Sequence, residues 1–534
     1  MNKDIPGIFS RLGITAFSQN MLPYRTEDLA EIDPLLKRLH WNYAAKILKA
    51  ALFAARTERL YPVYVTSFKC APDAFALEYF RRIMESRDKP YLILEVDDHD
   101  SNVGYETRIE AAVRSFRNHA ARRTAAPRGR EALPVVPQVV TKLPARKTLL
   151  FPCIDPLVSK LYEAIFIKEG TDARMVPLTE RAIRRGLRKH TGQCLPVTII
   201  AQSYIDHIKE NGLDPATTAV WMFDSYLSCN IRMYPQLIKS LLEANGDGME
   251  RVEVYLGELN MSDLSVPASI DTYFANLFGG MLRRIGCRIR PYEKEKGQTD
   301  RVLTDALNLL YNTFLGDADK EEAVARIVGR FKDIGTDRRK RRPKVAIFGD
   351  MYARDNDVFN QHLIRCIEEY GGEAVTTPFT ELVKLAMPGY IKRWFVGGHY
   401  KDIFFAKTVM TLVGQLEKAY YRLFGELFDE PLQLPEVDHE AVSREFFLKP
   451  THGGESLDNL VKVAALAKHY PDLALFVQTN PAFCCAGIVT EAMVPHIERF
   501  AGIPVVTLDY DGTAKNINEK IRPYIRYPRN ARSG

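Results

Sequence analysis

A chain of 534 residues, at roughly 150 residues per domain, is long enough for about three or four domains with separate hydrophobic cores. Its 73 Lys and Arg residues against 67 Asp and Glu residues leave a net charge of +6, which is too mild for a nucleic-acid binder of this length. Apolar residues at 46% and charged residues at 26% exclude a disordered or fibrous chain, and no run of roughly eighteen apolar residues predicts a membrane span.

The chain divides into three segments. The amino-terminal α/β segment, residues 1–118, begins with MNKDIPGIFSRLG, which has no apolar signal core, so we expect a cytoplasmic protein. Residues 119–146 form a basic Pro/Ala-rich linker without helical periodicity, which is typical of an extended tether. Residues 147–336 and 337–534 are predicted as two further α/β domains, with the charged run DRRKRRPK at their junction.

Short apolar runs rich in β-branched residues alternate with amphipathic segments along the whole chain. The runs predict buried strands of parallel sheets, and they are LYPVYVT, YLILEVD, TLLFP, TAVWMFD, VEVYLGEL, KVAIFGD, LALFVQT and PVVTLDY. Helices are predicted between them, for example over ALEYFRRIMES, YPQLIKSLLEANG and NQHLIRCIEEYGG, of which the last two end at a glycine. This alternation predicts a multi-domain α/β protein of open parallel sheets with helices on both faces.

Six of the eight cysteines lie in turns directly before a predicted helix, and five of these six also follow a predicted strand. They are Cys70, Cys153, Cys194, Cys229, Cys484 and Cys485. Ligands of open α/β sheets bind beyond the carboxyl ends of the strands, and a helix N-terminus favours the thiolate that binds metal. Cys287, after the helical pattern GGMLRRIG, and Cys366, within a predicted helix, are expected to have structural roles instead.

The spacing of the six cysteines limits the kinds of metal or redox site that they can form. None of them forms a C-x-x-C pair, which disfavours a zinc ribbon and excludes a thioredoxin-like dithiol. The adjacent Cys484 and Cys485 would make a strained disulfide, but each can contact a cluster. Soft thiolates gathered from distant loops suit an iron–sulfur centre, and buried thiols without a ligand are the alternative.

The motifs around these cysteines resemble a known family. YVTSFKCAPDAFALEYF and YLILEVDDHDSNVGYETRIEA are similar to sequences of the 2-hydroxyacyl-CoA dehydratase and benzoyl-CoA reductase family. TGQCLPVTIIAQSYIDHI, SYLSCNIRMYPQLIKSLL, NPAFCCAGIVTEAM and GIPVVTLDYDGT resemble the carboxyl-terminal part of large CoA-substrate enzyme activases, and the chain is also similar to double-cubane cluster proteins. The resemblance touches all three segments.

The resemblance implies flavodoxin-like or Rossmann-like domains with an iron–sulfur cluster held between them. Dehydratase members of the family hold one [4Fe-4S] cluster on three cysteines, whereas double-cubane proteins hold two cubanes, joined by a sulfide, on six. Because six cysteines occupy the turns of this chain, we expect a double-cubane [8Fe-9S] cluster, with a single [4Fe-4S] cluster as the alternative. The expected ligands are Cys70, Cys153, Cys194, Cys229, Cys484 and Cys485, of which Cys153 matches no motif of the family.

The resemblance also implies a separate ATP-hydrolysing [4Fe-4S] protein that supplies low-potential electrons. The sequence contains no G-x-x-x-x-G-K-[ST] phosphate loop and no G-x-G-x-x-G after a strand, so ATP hydrolysis is expected on that partner. We therefore expect an anaerobic, homodimeric reductase of a small molecule. A 2-hydroxyacyl-CoA dehydratase component acting on an acyl-CoA and a non-catalytic electron-transfer scaffold are the alternatives.

Other polar residues near the turns are candidates for a role in the chemistry, although capping of a helix or a loop is the simpler interpretation of each. The candidate proton donors are His190, His452, Asp224 and Glu491. His99, within EVDDHD, imitates a hard-metal site but is expected to bond to neighbouring backbone. Lys449, Gly453 and Gly454 are a weak candidate for binding a phosphate or CoA group.

Overall fold

The structure is a computed structural model of the chain. It describes residues 4–39, 41–67, 71–96, 102–121, 136–190, 192–224, 229–258, 264–316, 318–339, 341–449, 455–513 and 515–528. Cys70, residues 97–100 of the EVDDHD stretch and residues 450–454, which include His452, Gly453 and Gly454, lie outside the described residues. The described helices include none with the length and apolar character that a bilayer crossing requires.

The first segment contains a pair of parallel strands covered by helices. The strands are β1 (Val63–Ser67) and β2 (Leu92–Val96), and they pair in register from Val63 with Leu92. The helices are α1 (Ile5–Arg11), α2 (Asp33–Leu36), α3 (Asn42–Arg56), α4 (Ala71–Glu85) and α5 (Asn102–Ala121). Helix α5 packs on α1 through an apolar cluster that includes Phe9 and Ile109. It also extends past residue 118, so the predicted start of the linker falls inside this helix.

The second sheet is parallel and takes all its described strands from the second segment. Its strands are β3 (Thr148–Pro152), β4 (Ala173–Val176), β5 (Thr218–Asp224) and β6 (Glu253–Glu258), in the order β4-β3-β5-β6. The helices of this part are α6 (Pro156–Lys168), α7 (Glu180–Lys189), α8 (Leu195–Glu210), α9 (Tyr234–Asn245), α10 (Val266–Ile289), α11 (Gln298–Leu315) and α12 (Lys320–Lys332). At its edge, Val140 from the end of the predicted linker forms a parallel bridge to β6.

The third sheet is also parallel and belongs to the third segment. Its strands are β7 (Lys344–Gly349), β8 (Glu373–Val375), β9 (Leu473–Pro481) and β10 (Val505–Tyr510), in the order β10-β9-β7-β8. Its helices are α13 (Met351–Asp355), α14 (Leu363–Glu369), α15 (Phe379–Val396), α16 (Tyr400–Gly425), α17 (His439–Glu445), α18 (Glu455–His469), α19 (Cys485–Ala492), α20 (Val494–Ala501) and α21 (Arg522–Arg526).

The second and third sheets have the same strand order. When the strands are numbered within each sheet, both read 2-1-3-4, which is the order of flavodoxin-like sheets. In such sheets the connections diverge between the first and third strands and leave a crevice at their carboxyl ends. The two crevices lie between β3 and β5 and between β7 and β9. In each sheet, cysteines of the predicted ligand set follow strands that border the crevice.

The three sheets share one hydrophobic core. A continuous cluster of buried residues joins Tyr64 of β1, Leu150 of β3 and Val345 of β7. A second cluster packs α10 against α6, α11 and α12, and it includes Phe424 of α16, which comes from the third segment. The segments therefore interlock through apolar contacts, and the boundaries at residues 118, 146 and 336 stay predictions.

The strand pattern of the sequence is confirmed. All eight predicted runs form strands or contain one, whereas the short strands β4 and β8 were not predicted. The prediction for Cys287 was wrong in one respect, because this residue does not follow a helix but lies inside the last turns of α10 and is 1% exposed. Helix α10 runs through two adjacent glycines. One of them, Gly280, packs tightly on Pro378, since a Cβ atom at Gly280 would come within 2.6 Å of the Cα atom of Pro378.

Candidate metal centre

Cys194 lies at the start of α8, as its sequence predicts. It occupies the N-cap position, and Pro196 lies in the first turn, where its missing N–H needs no partner. The sulfur atom of Cys194 is 3.2 Å from the hydroxyl oxygen of Tyr234. Tyr234 is the first residue of α9 and is held in place by its ring, which stacks on Phe75 with 5.9 Å between the ring centroids.

Cys229 follows the carboxyl end of β5 and caps a short 3₁₀ helix, Asn230–Met233, that leads into α9. Cys229 and Tyr234 therefore lie on one connection, and this connection carries both of them to the N-terminus of α8. The hydroxyl group of Tyr234 is buried, and burial raises its pKa well above 10, with the neighbouring Cys194 and Cys229 adding to the effect. The side chain of Asp224, at the end of β5, lies outside the described residues.

Cys484 and Cys485 follow β9, at the crevice of the third sheet. Phe483 directly before them has a φ of 64°, in the left-handed region that non-glycine residues rarely adopt. This conformation turns the chain so that Cys484 caps α19 and Cys485 begins it. Gly487 lets α19 lie against β9, since a Cβ atom there would come within 2.5 Å of the Asn480 side chain.

Two carboxylates that the sequence analysis did not select lie beside these cysteines. Asp350 follows β7, and its side chain accepts a 2.8 Å hydrogen bond from the Ala353 amide at the start of α13. Glu455 is the first residue of α18 and lies 3.4 Å from the Met351 amide nitrogen, from which it accepts a hydrogen bond. Ligand atoms of Asp350, Glu455 and Cys484 all lie within 4.8 Å of one another, which is compact enough to hold a metal ion.

Four cysteines lie close enough to interact electrostatically, and we call Cys194, Cys229, Cys484 and Cys485 the thiol site. Each of the four interacts electrostatically with at least two of the others. All four residues are partly exposed, and none of the four is in a disulfide bond. The thiol site therefore brings together connections from both four-stranded sheets.

The electrostatics of the thiol site favour a bound cation. Desolvation raises the pKa of Cys194 to about 12 and raises the pKa values of Cys229 and Cys484 well above 9, and the neighbouring carboxylates and thiols add to each shift. Desolvation likewise raises the pKa values of Asp350 and Glu455. If these thiols and carboxylates lost their protons, their negative charges would repel one another. A metal ion that replaces the protons relieves this repulsion.

Backbone amides already face two of the sulfur atoms. The N–H groups of Val197, in the first turn of α8, and of Ile231, in the 3₁₀ helix, lower the pKa values of Cys194 and Cys229 and so oppose the effect of burial. Amide donors of this kind stabilise a thiolate and tune the potential of a cluster that it binds. The residues of this region could therefore hold a metal ion.

The structure places Cys153 in a different environment. Cys153 is buried at the end of β3, and burial raises its pKa to about 12, with Asp155 adding to the shift. Tyr352 of α13 lies beside Cys153 on one side and Asp350 on the other. Cys153 is thus a neighbour of the thiol site across Tyr352, whereas Cys70 lies outside the described residues.

The candidate proton donors that the structure describes have surroundings of their own. His190 caps the end of α7, and burial and the nearby Lys189 lower its pKa. Burial and Asp509 raise the pKa of Glu491 in α19. Lys449 is exposed at the end of a described stretch. The interactions described for His190 and Glu491 do not involve the thiol site.

Comparison of the chain with models of protein families, with curated proteins and with solved structures finds no match.

Proposed function

We propose that the protein is an iron–sulfur reductase whose cluster is bound by the thiol site. The observation that carries the proposal is the meeting of Cys194, Cys229, Cys484 and Cys485 at the carboxyl ends of two parallel sheets. Thiolates are the ligands of iron–sulfur clusters, and the switch points of open α/β sheets are where such folds bind their cofactors.

A structural zinc site is less well supported by the same geometry. Zinc sites of that kind are closed, four-coordinate and built from short paired motifs such as C-x-x-C. Here the thiols come from three separate connections, and the carboxylates of Asp350 and Glu455 crowd around them. Such a site has more potential ligands than one zinc ion needs, which favours a larger cluster.

The ligand set bears on the size of the cluster. The four thiols of the thiol site suffice for one [4Fe-4S] cluster, whereas a double cubane would also need Cys70 and Cys153. The separate surroundings of Cys153 favour the single cluster, which is compatible with the proposed reductase and with the second candidate, a 2-hydroxyacyl-CoA dehydratase component. Iron analysis distinguishes the single cluster from the double cubane, since one cubane holds four irons and a double cubane holds eight.

The bound cluster would supply one-electron chemistry, and the chain's own residues would position and tune it. The thiols would bind iron as thiolates, and the amides of Val197 and Ile231 would stabilise their charge. Tyr234, in contact with Cys194, would fix the orientation of that sulfur. On the resemblance of the cysteine motifs to the 2-hydroxyacyl-CoA dehydratase and benzoyl-CoA reductase family, we propose that a separate ATP-hydrolysing [4Fe-4S] protein delivers the electrons and that a small molecule accepts them.

The test is anaerobic reconstitution of the full chain with iron and sulfide, followed by iron analysis and EPR spectroscopy of the dithionite-reduced protein. Replacing any one of Cys194, Cys229, Cys484 or Cys485 by serine is expected to remove at least half of the bound iron or to change the EPR signal. The matched control is Cys366→Ser, since Cys366 lies in α14, where its sulfur accepts a hydrogen bond from Asn518 at 3.6 Å.

Retention of full iron by all four variants would overturn the cluster assignment. Binding of zinc alone, with no iron-dependent EPR signal, would do the same. Rapid reduction of the cluster by NADH without a protein partner would contradict the proposed electron donor.

A further inference from the structure

An exposed apolar surface lies on the hairpin of α15 and α16. The two helices are joined by a short turn, residues 397–399, that begins with two glycines. Four large apolar side chains at this turn face solvent, with exposed fractions between 61% and 77%, and they are Phe395, Val396, Tyr400 and Phe404. The rings of Phe395 and Tyr400 are in edge-to-face contact, with 5.7 Å between their centroids, and Phe404 lies one helical turn further on. The apolar groups therefore form one patch.

The apolar patch continues along α16. Val409, Leu412 and Leu416 recur at helical spacing and are 37%, 47% and 42% exposed, whereas Val413 and Phe424 of the same helix are buried. The three aromatic side chains at the turn alone expose roughly 400 Å², at about 200 Å² for a complete aromatic side chain. The largest apolar patch on a typical monomer covers about 300–600 Å², and patches of this size or larger mark binding surfaces. We call the exposed side of α16, together with the turn before it, the hairpin surface.

The exposed charges of α16 are cationic. The charged side chains of this helix that the structure describes as exposed are those of Lys401, Lys407, Lys418 and Arg422, and none of them forms an ion pair within the described residues. Glu417 points inward instead, where it is 1% exposed and its carboxylate pairs with Lys384 at 3.2 Å. In the sequence, residues 391–407 carry four Lys and Arg residues against one Asp, a net charge of +3. The hairpin surface thus combines an apolar patch with net positive charge.

This combination selects an anionic partner. A second copy of the chain would bring the same cations against Lys401 and Lys407, and their repulsion would oppose pairing. An anionic bilayer matches both features, because aromatic side chains favour the boundary between headgroups and acyl chains and each lysine near an anionic surface adds to the attraction. Helix α16 has 26 residues and is about 39 Å long, so it can lie along such a surface with several apolar side chains in contact.

We propose that the hairpin surface binds the anionic phospholipid surface of a membrane. Phe395, Tyr400 and Phe404 would enter the boundary between headgroups and acyl chains, and Lys401 and Lys407 would contact lipid phosphates. The contact is peripheral, with α16 parallel to the plane of the bilayer. It uses neither the thiol site nor a metal, so it is expected in the iron-free chain as well as in the iron-loaded one.

The test is co-sedimentation of the full chain with phosphatidylcholine vesicles, prepared with and without phosphatidylglycerol as the anionic lipid. The anionic vesicles are expected to bind the protein at least about 10-fold more tightly than the neutral ones. Raising the salt concentration from about 0.05 M to about 0.5 M should weaken this binding, because salt screens the attraction between lysines and headgroups.

Two substitutions separate the apolar and the electrostatic contributions. Phe404→Ser is expected to weaken binding to the anionic vesicles by about 5- to 10-fold, and Lys407→Gln by about 3- to 5-fold. The matched controls are Phe17→Ser and Lys468→Gln, which change exposed residues of the first segment and of α18 and should leave vesicle binding unchanged.

A second readout uses the fluorescence of Trp394, which is partly exposed in the last turn of α15. Anionic vesicles are expected to shift its emission to shorter wavelength, because the indole ring enters a less polar environment. Trp394→Phe should abolish this shift, whereas Trp41→Phe, in the first segment, should preserve it.

The proposal would be overturned by a lack of binding to anionic vesicles, by equal binding to the neutral vesicles, or by equal losses from Phe404→Ser and Phe17→Ser. Sedimentation velocity of the protein alone tests the other occupant. A dimer that Phe404→Ser dissociates would assign the hairpin surface to a second copy of the chain and would likewise overturn the proposal.

Discussion

Lys462 is buried in α18 and makes no hydrogen bond within the described residues. Its side chain is 1% exposed, next to the ion pair between Arg354 and Asp355. Burial lowers the pKa of Lys462 well below 10.5, and the positive charge of Arg354 lowers it further. The folded protein therefore favours the neutral amine, whereas the unfolded chain takes up a proton on this residue below pH 10.5.

We predict that Lys462→Met stabilises the protein by about 1–3 kcal/mol at pH 7, because it removes a buried amine that has no partner. The folded-state pKa is depressed, so the cost of Lys462 grows as the pH falls below 10.5 towards its folded value, and the gain from methionine should grow in the same direction. Urea unfolding of both proteins at several pH values measures this difference in the free energy of unfolding. Lys468→Met, at an exposed position of the same helix, should change little, and an equal effect from both variants would contradict the explanation.

At the scale of single residues, sequence reasoning found the cysteines and missed their neighbours. Cys194, Cys229, Cys484 and Cys485 are visible in the sequence because each precedes a predicted helix. Asp350 could have been found by the same rule, since it ends the strand run KVAIFGD. Glu455 could not, because only the packing of α18 beside β7 brings it to the thiol site.

At the scale of elements, the turn after β7 depends on a glycine. Gly349 has a φ of 121°, in the region that side chains disfavour, and a Cβ atom there would come within 2.2 Å of the Thr479 carbonyl oxygen on β9. This close approach of β7 and β9 sets the crevice from which Asp350 and Cys484 emerge. Any larger residue must push the two strands apart.

We therefore predict that Gly349→Ala destabilises the protein by about 2–4 kcal/mol and weakens iron binding by the thiol site. Gly371→Ala separates the effect of backbone strain from the effect of the close contact. Gly371 has a φ of 98°, but an added Cβ there would have no atom within 4 Å. That control should cost only about 1 kcal/mol. Thermal unfolding of both variants measures the difference, and equal losses would show that the contact with Thr479 does not matter.

The strands that the sequence missed are β4 and β8. Both are short edge strands of three or four residues, Ala173–Val176 and Glu373–Val375, and so have no apolar run of their own. The longer strands beside them carry continuous apolar stretches because helices cover both of their faces. Sequence patterns thus predicted the central strands and the longer edge strands β6 and β10, whereas the short edge strands β4 and β8 depend on pairing that only the folded chain shows.

At the scale of the whole molecule, buried ion pairs connect the three segments, in addition to the apolar core that they share. Arg82 of α4 pairs with Glu243 of α9 at 2.8 Å, and Arg290, just after α10, pairs with Glu368 of α14 at 2.8 Å. The side chains of both pairs are about one-tenth exposed or less. Contacts of this kind couple the folding of the three segments, because separating them would leave charged groups and apolar surface without partners.

We predict that the chain unfolds in urea as one cooperative transition, with the same midpoint by circular dichroism and by tryptophan fluorescence. Arg290→Met should lower the free energy of unfolding by about 2–4 kcal/mol without splitting the transition, because it leaves the buried Glu368 with the longer 3.8 Å pair to Arg365 in place of its 2.8 Å pair. Arg330→Met is the control, since Arg330 forms an exposed pair with Asp305 at 3.4 Å. Separate midpoints for the two probes would contradict the shared core.

The bridge from Val140 has a consequence for how copies of the protein behave in solution. Strand β6 is the last strand of its sheet, and an open edge of this kind can template pairing with another molecule. The backbone of Val140 occupies that edge, with hydrogen bonds to the Val254 carbonyl at 2.9 Å and from the Leu256 amide at 2.8 Å. The end of the tether thereby covers part of this edge, and we expect a chain cut within the tether to expose it to pairing with another copy.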